Sequence, residues 1–177
     1  KRIEKAVPGV LKSKSWLSAD IGKDEFKKNR RAVIDRCIER GINYVDACTR
    51  EEVVAYSEAL RGRRDRMYFG FSWYQEEMRN KNFRTCAKLL ETLEKGMTAA
   101  KLDHVDLWRI VLISKSSRHT DGEMEECVKA LATAKKQGKV LHTGVSSHDR
   151  PHIKKVIETY PDVMEAVVMP YTASTEK

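Results

Sequence analysis

Residues 41–47 read Gly-Ile-Asn-Tyr-Val-Asp-Ala and are predicted to form the first strand of a repeated unit. The run is short and rich in β-branched and aromatic side chains, as is typical of a buried strand. Residues 24–40 before it carry apolar side chains at helical spacing, and Gly41 stands where a left-handed helix C-cap usually lies. The sequence therefore predicts a helix that is followed directly by a strand.

The same unit recurs along the rest of the chain. Predicted strands begin near residues 42, 67, 105, 139 and 165, and a helix precedes each of them. Asn82 is expected to cap the third of these helices, and Asp149 the last. Regular alternation of this kind indicates parallel strands joined by right-handed helical crossovers, so the predicted class is α/β.

The alternation leaves two architectures open. One is an open doubly wound sheet, which a chain of 177 residues would complete. The other is a (β/α)₈ TIM barrel, which needs about 250 residues. The sequence has neither a Gly-x-Gly-x-x-Gly motif nor a Gly-x-x-x-x-Gly-Lys-Ser/Thr motif, which disfavours open-sheet enzymes with the usual phosphate loops.

Composition excludes some classes of function. Lys and Arg number 34 against 26 Asp and Glu, and this net charge of +8 permits a polyanionic partner without requiring one. The basic stretches 27–31 and 61–64 are not interleaved with aromatic residues, so nucleic-acid binding is disfavoured. The longest apolar runs, such as residues 166–169, are too short to span a membrane.

The cysteines and histidines give no sign of a metal site. Four cysteines lie far apart, without a Cys-x-x-Cys pair, and His148 and His152 are separated by the predicted start of a helix. We expect the cysteines to be reduced thiols, most of them in the core, which suits a cytoplasmic protein. Cys48 alone lies near a predicted strand end.

Ligands of both architectures bind at the carboxyl ends of the strands. Asp46 occupies such a position and is either an ion-pair partner or proton-relay member, or else a helix cap or turn acceptor. Ser146 and Ser147 end another predicted strand. Their hydroxyls could bind a ligand, or they could simply form a polar turn.

Six short segments, taken together and in order, carry a further signal. They are residues 41–47 (GINYVDA), 57–60 (SEAL), 62–65 (GRRD), 105–108 (VDLW), 137–140 (QGKV) and 143–147 (TGVSS). This ordered set resembles the aldo-keto reductase family. The similarity extends over roughly residues 7–172, and residues 7–16 would correspond to the first strand of the barrel.

The resemblance implies a partial or truncated (β/α)₈ TIM barrel with parallel strands, formed as one domain by residues 1–177. Because the chain starts at Lys1 rather than Met and holds only six of the eight expected strands, we expect it to be a piece of something longer. The family's adenosine-phosphate site follows the sixth strand, where this chain ends.

The family reduces carbonyl compounds with NADPH, using a Tyr, a Lys, an Asp and a His. The Asp position falls on Asp46, but the Lys position falls on Ser72 and the His position on Val111. The Tyr position falls at Arg50 or Glu51. The resemblance therefore implies a degenerate catalytic tetrad, because none of these replacements supplies a tuned phenol or its activating cation.

The cofactor contacts implied by the resemblance are also altered. The Ser-Asn pair that holds the nicotinamide amide falls on Ser146 and Ser147, and the following Gln falls on Met169. The expected function is that of an NADP-dependent oxidoreductase with a small-molecule carbonyl substrate, or alternatively a non-catalytic ligand-binding or assembly module. Other groups near the same end could substitute in catalysis: Tyr56, Tyr74, Lys115 and His119.

Overall fold

The computed structural model describes residues 18–171, in which two successive α-helices precede the first of five strands and one α-helix lies between each pair of consecutive strands. The helices are α1 (Ser18–Ile21), α2 (Lys23–Glu39), α3 (Arg50–Ala59), α4 (Cys86–Ala100), α5 (Asp121–Lys136) and α6 (Arg150–Thr159). The strands are β1 (Tyr44–Ala47), β2 (Tyr68–Phe71), β3 (Val105–Val111), β4 (Val140–Ser146) and β5 (Ala166–Val168). The strand predicted at 7–16 lies outside the described residues.

The order of the strands decides between the two architectures. All neighbouring strands are parallel, and the spatial order is β1-β2-β3-β4-β5, the same as the order along the chain. A doubly wound sheet reverses its strand order at a switch point, and this sheet does not. The fold is therefore the predicted partial (β/α)₈ barrel, a curled half-barrel with helices on its outer face.

The outer face of the sheet forms the core. Large side chains on β2 and β3 point toward the helices and are fully buried, among them Phe69, Phe71, Trp108 and Ile110. Residues that alternate with them along each strand face the concave side. On β1 this alternation leaves Tyr44 exposed beside the buried Val45, so the concave side is the more open one.

The start of α4 differs from the prediction. Asn82 does not cap this helix; it lies in a short 3₁₀ turn, Lys81–Phe83, that Asn80 caps by accepting a hydrogen bond from the Asn82 backbone N–H. Thr85 is the N-cap, accepting from the backbone N–H of Lys88. The prediction was wrong because both residue types are good caps and three residues separate them. Asp149 caps α6 as predicted.

Residues 18–171 contain neither a membrane-spanning helix nor a metal-binding cluster. Their helices include none that is long and apolar enough to cross a membrane. The same part of the chain holds no cluster of three or more His, Cys, Asp or Glu side chains able to bind a metal ion.

Candidate functional site

Asp46 lies at the carboxyl end of β1 and forms an ion pair with Arg109 of β3. Arg109 Nε donates to Asp46 Oδ1 at 3.0 Å, and Nη2 donates to Oδ2 at 2.6 Å. The Arg109 side chain is only 3% exposed, whereas that of Asp46 is 35% exposed. Burial alone would lower the pKa of Arg109, but the Asp46 carboxylate outweighs it and raises that pKa, so the guanidinium stays charged.

A glycine on the intervening strand makes this ion pair possible. Asp46 is in register with Gly70, and Gly70 with Leu107, so β2 separates the two charged residues. A Cβ atom at Gly70 would lie 2.8 Å from Asp46 Oδ1 and 2.2 Å from Tyr44 Oη. The missing side chain therefore leaves the room that Asp46 and Tyr44 occupy across β2.

Tyr44 places a phenol beside Asp46, but the surroundings raise the pKa of this phenol, whereas a general acid needs a lowered one. Its hydroxyl donates to Asp46 Oδ1 at 3.1 Å. Burial and the neighbouring Asp46 carboxylate raise the pKa of Tyr44 far above its ordinary value, and the Arg109 guanidinium only partly opposes them. A phenol that serves as a general acid needs the opposite shift.

Cys48, which follows β1, faces the same cluster. Burial raises the pKa of this half-buried thiol, although the Arg109 guanidinium acts in the opposite direction. Cys48 therefore remains a neutral thiol at neutral pH, which argues against a nucleophilic role.

A second carboxylate, Glu77, lies behind the first cluster and was not found by sequence reasoning. It is fully buried, and burial raises the pKa of its carboxyl group, although four neutral donors act in the opposite direction. Oε1 accepts from the Trp73 backbone N–H at 2.8 Å and from Trp108 Nε1 at 3.2 Å. Oε2 accepts from Ser72 Oγ at 2.7 Å and from the Val111 backbone N–H at 2.9 Å.

These contacts involve two positions to which the resemblance assigns catalytic residues. Ser72 and Val111 stand where the resemblance places the Lys and the His, and both bind the same oxygen of Glu77. The Ser72 hydroxyl is fully buried and committed to that bond. The ends of β2 and β3 are thus joined by a buried carboxylate, and neither position presents a proton donor to the concave side.

Three predicted cofactor residues, Ser146, Ser147 and Met169, line one cavity at the strand ends. Its volume is about 350 Å³, and the side chains around it belong to the carboxyl ends of the strands and the loops that follow them. The other lining residues are Cys48, Arg79, Val111, Leu112, Ser114, His148, Val168 and Pro170. Asp46 is linked to this cavity through Arg109, whose Nη1 donates to Ser146 Oγ at 2.7 Å.

The two serines differ in what they can offer a ligand. Ser147 Oγ lies within hydrogen-bond distance of Ser116 Oγ, at 2.9 Å, and of the Ile113 carbonyl, at 3.2 Å, so its single hydrogen stays within the protein. It also accepts from the Asp149 backbone N–H. Ser146 Oγ accepts from Arg109, and among residues 18–171 no group accepts its hydroxyl hydrogen. Of these two serines, Ser146 is the one that retains a donor for a ligand.

The four possible substitutes do not assemble into an acid pair. Burial raises the pKa of Tyr56, while Tyr74 lies against Arg79 and Lys115 is exposed. His119 is buried, with Nε2 3.4 Å from the Ile113 backbone N–H and Nδ1 3.3 Å from Glu123 Oε2. Burial lowers its pKa, with the positive charge of Arg84 acting in the same direction.

Arg109 also escaped the sequence analysis, although a signal was present. It stands in the middle of an otherwise largely apolar strand, where a guanidinium requires a carboxylate partner. Glu77 had no such signal, because it lies in an irregular segment of mixed polarity between β2 and α4.

Comparison with known proteins identifies the architecture. The model of the "Aldo/keto reductase family" matches residues 22–173. An aldo/keto reductase from Brucella melitensis superimposes with a TM-score of 0.64 at 15% identity, covering 82% of this chain and 54% of that one. The holo form of aldo-keto reductase AKR11C1 from Bacillus halodurans gives 0.59 at 21%, covering 84% and 47%.

A thermostable aldo-keto reductase, Tm1743, solved with the inhibitor epalrestat, gives a TM-score of 0.65 at 18% identity, covering 86% of this chain and 52% of that one. The chain therefore spans about half the length of the solved structures it matches. No curated protein sequence gives a significant match.

Proposed function

The chain belongs to the aldo/keto reductase family, and from this membership we propose that it is a degenerate member that binds a small molecule without reducing a carbonyl group by the family mechanism. It keeps the strand-end cavity of the oxidoreductase fold. Within residues 18–171, neither Tyr44 nor Cys48, the titratable hydroxyl and thiol groups beside the Asp46–Arg109 pair, has the lowered pKa of an acid that would protonate the substrate oxygen. The chain spans about half the length of its structural relatives, so the activity ascribed to the whole protein is a proposal.

The contacts of Asp46 with Arg109 and Tyr44 carry the proposal. Reduction of a carbonyl needs a proton donor whose pKa is tuned toward neutrality, usually by a nearby cation. The cation beside Asp46 is Arg109, which binds both oxygens of that carboxylate and is neutralised by it. The phenol on Asp46 is Tyr44, whose raised pKa keeps the proton in place.

The described residues do not fit the arrangement by which the family holds a nicotinamide. Of the three positions, Ser147 uses its hydroxyl within the protein, and Met169 has no hydrogen-bonding group to match an amide. Only Ser146 keeps a free donor. NADP is proposed as the cofactor from the family resemblance alone, and Ser146 would be its contact in this part of the chain.

The proposed ligand belongs to the small carbonyl compounds on which the family acts. An open cavity of about 350 Å³ is within the usual size range for small-molecule sites. The four cysteines are all free thiols, which fits the cytoplasmic location that we propose.

Turnover measurements on the full native chain test the proposal. We expect NADPH consumption with a panel of aliphatic and aromatic aldehydes to stay at the buffer background. Asp46→Asn and the exposed control Asp65→Asn should give the same result as the parent. Turnover that Asp46→Asn abolishes while its circular dichroism spectrum stays that of the parent, and that Asp65→Asn retains, would show that Asp46 acts in catalysis and would overturn the proposal.

A further inference from the structure

The described side chains that line the strand-end cavity include basic residues but no acidic ones. None of its lining residues within 18–171 is an aspartate or glutamate, whereas Arg79 and His148 both contribute to the wall. Arg109 lies just behind the wall, but Asp46 neutralises it. The net positive charge of the cavity therefore comes from Arg79.

Arg79 is held in place without a carboxylate. Its guanidinium carbon lies 5.4 Å from the centroid of the Tyr74 ring, a cation–π distance. No carboxylate of residues 18–171 lies within ion-pair distance of it. Neighbouring arginines differ, because Arg50 pairs with Glu76 and Arg84 pairs with Glu123. The charge of Arg79 thus remains available to a ligand.

The rest of the wall suits the body of an organic molecule. Val111, Leu112, Val168, Met169 and Pro170 give it a predominantly apolar surface. Ser114 and His148, both exposed, add polar groups to the same cavity. A ligand that satisfies both parts has an anionic group for the guanidinium and a compact apolar remainder for the wall.

We propose that this cavity binds small organic carboxylates, with Arg79 as the residue that recognises the carboxylate group. A planar guanidinium donates two parallel N–H bonds to a carboxylate, an arrangement that a neutral amide of the same shape cannot match. This inference rests on the proposed function, since it requires the strand-end cavity to be a ligand site, and it narrows the proposed carbonyl ligands to those that carry a carboxylate group.

A matched pair of probes tests the inference on the full native chain. Benzoate and benzamide have nearly the same size, and only benzoate is charged, so each is titrated while amide chemical shifts are followed by NMR. We expect benzoate to bind about tenfold more tightly than benzamide. Its affinity should fall as sodium chloride is raised, because Arg79 is exposed.

Two variants locate the effect. Arg79→Gln should weaken benzoate binding about tenfold and leave benzamide unchanged. Arg61→Gln, an exposed arginine in the turn between α3 and β2, should change neither affinity. Inorganic phosphate, titrated in parallel, should bind more weakly than benzoate because it has no apolar body. Phosphate that binds as tightly as benzoate would overturn the assignment to carboxylates.

The remaining outcomes separate the two proposals. Equal binding of benzoate and benzamide, or benzoate binding that survives Arg79→Gln, would overturn the carboxylate inference and leave the ligand-binding cavity in place. Absence of binding by either probe would refute the inference and count against the cavity as a ligand site. Aldehyde turnover that depends on Asp46 would refute the proposed function alone.

Discussion

Two carboxylates at the same end of one sheet are stabilised in opposite ways. Asp46 stands on the concave side, 35% exposed, and shares its charge with the buried guanidinium of Arg109. Glu77 is completely buried and accepts hydrogen bonds from four neutral donors, including the indole N–H of Trp108. The first depends on an opposite charge, and the second on complete hydrogen bonding.

The difference shows what each group can do. A carboxylate that holds a cation at the cavity edge contributes to the electrostatics that a ligand meets. A carboxylate that bridges Trp73, Ser72, Trp108 and Val111 holds the ends of β2 and β3 together. We interpret Glu77 as a structural link between the ends of β2 and β3, and Asp46 as the counter-charge of Arg109.

The largest expected effect comes from removing Glu77. Glu77→Ala should lower the free energy of unfolding by about 3–5 kcal/mol, because four buried donors lose their acceptor. Urea unfolding followed by tryptophan fluorescence measures this. Glu91→Ala, an exposed glutamate whose ion pair is with the exposed Lys88, should change it by less than about 0.5 kcal/mol. Equal effects of the two variants would show that Glu77 has no special structural role.

Asp46→Asn is expected to have the next largest effect, with a loss of about 2–3 kcal/mol, because it leaves the guanidinium of Arg109 buried without a counter-charge. Arg109→Met should cost less, about 1 kcal/mol, since the partly exposed Asp46 can then be hydrated. Unfolding of both single variants and the double variant in urea gives the coupling between them. The reverse order of the two single effects would contradict the burial argument.

A smaller effect is expected at Gly70, which lies between the ion-paired residues. Gly70→Ala should destabilise the protein by about 1–2 kcal/mol, because the new methyl group would meet the Tyr44 hydroxyl at 2.2 Å. Thermal unfolding measures the change. In a Tyr44→Phe background the closest contact disappears, so the same substitution should cost less there. An undiminished cost would mean that Tyr44 is not the obstacle.

A pH dependence of a size similar to the Gly70 effect extends the comparison to a third carboxylate, that of Glu165. Burial would raise the pKa of Glu165, but hydrogen bonds from Lys135, His142 and the Thr143 backbone lower it to about 2. Its contribution is therefore present above the unfolded-state pKa near 4.5 and is lost as pH falls toward 2. Glu165→Gln should remove about 1–2 kcal/mol of this acid-sensitive stability.

The contribution of Glu77 to stability changes with pH in the opposite direction. Because its folded-state pKa is raised, its linkage contribution is present below the ordinary glutamate value and declines as pH rises through the folded-state pKa. The contribution of Glu165 is measured by urea unfolding at a series of pH values. The free energy of unfolding should rise with pH near pH 3 in the parent, and less steeply in Glu165→Gln. An identical slope in the two proteins would contradict the assignment to Glu165.

Much of the fold could be predicted because its signals are local. Strands expected near residues 42, 67, 105, 139 and 165 begin at Tyr44, Tyr68, Val105, Val140 and Ala166. The signals came from apolar periodicity and from glycines such as Gly41 and Gly138, whose φ angles are positive as predicted C-caps require. The exception was the α4 cap, where two good caps lie three residues apart.

The sequence predicted that the candidate residues lie at strand ends, but not which side chains they contact. The sequence alone identified alternating helices and strands, the strand-end positions of Asp46, Ser146, Ser147 and Met169, and a family resemblance, because these follow from local pattern and order. Only the tertiary structure revealed that Asp46 is paired with Arg109, 63 residues away, through the gap at Gly70. That pairing depends on the register between strands. Hydrophobic periodicity shows which face of a strand is buried, but not which side chains contact one another across strands.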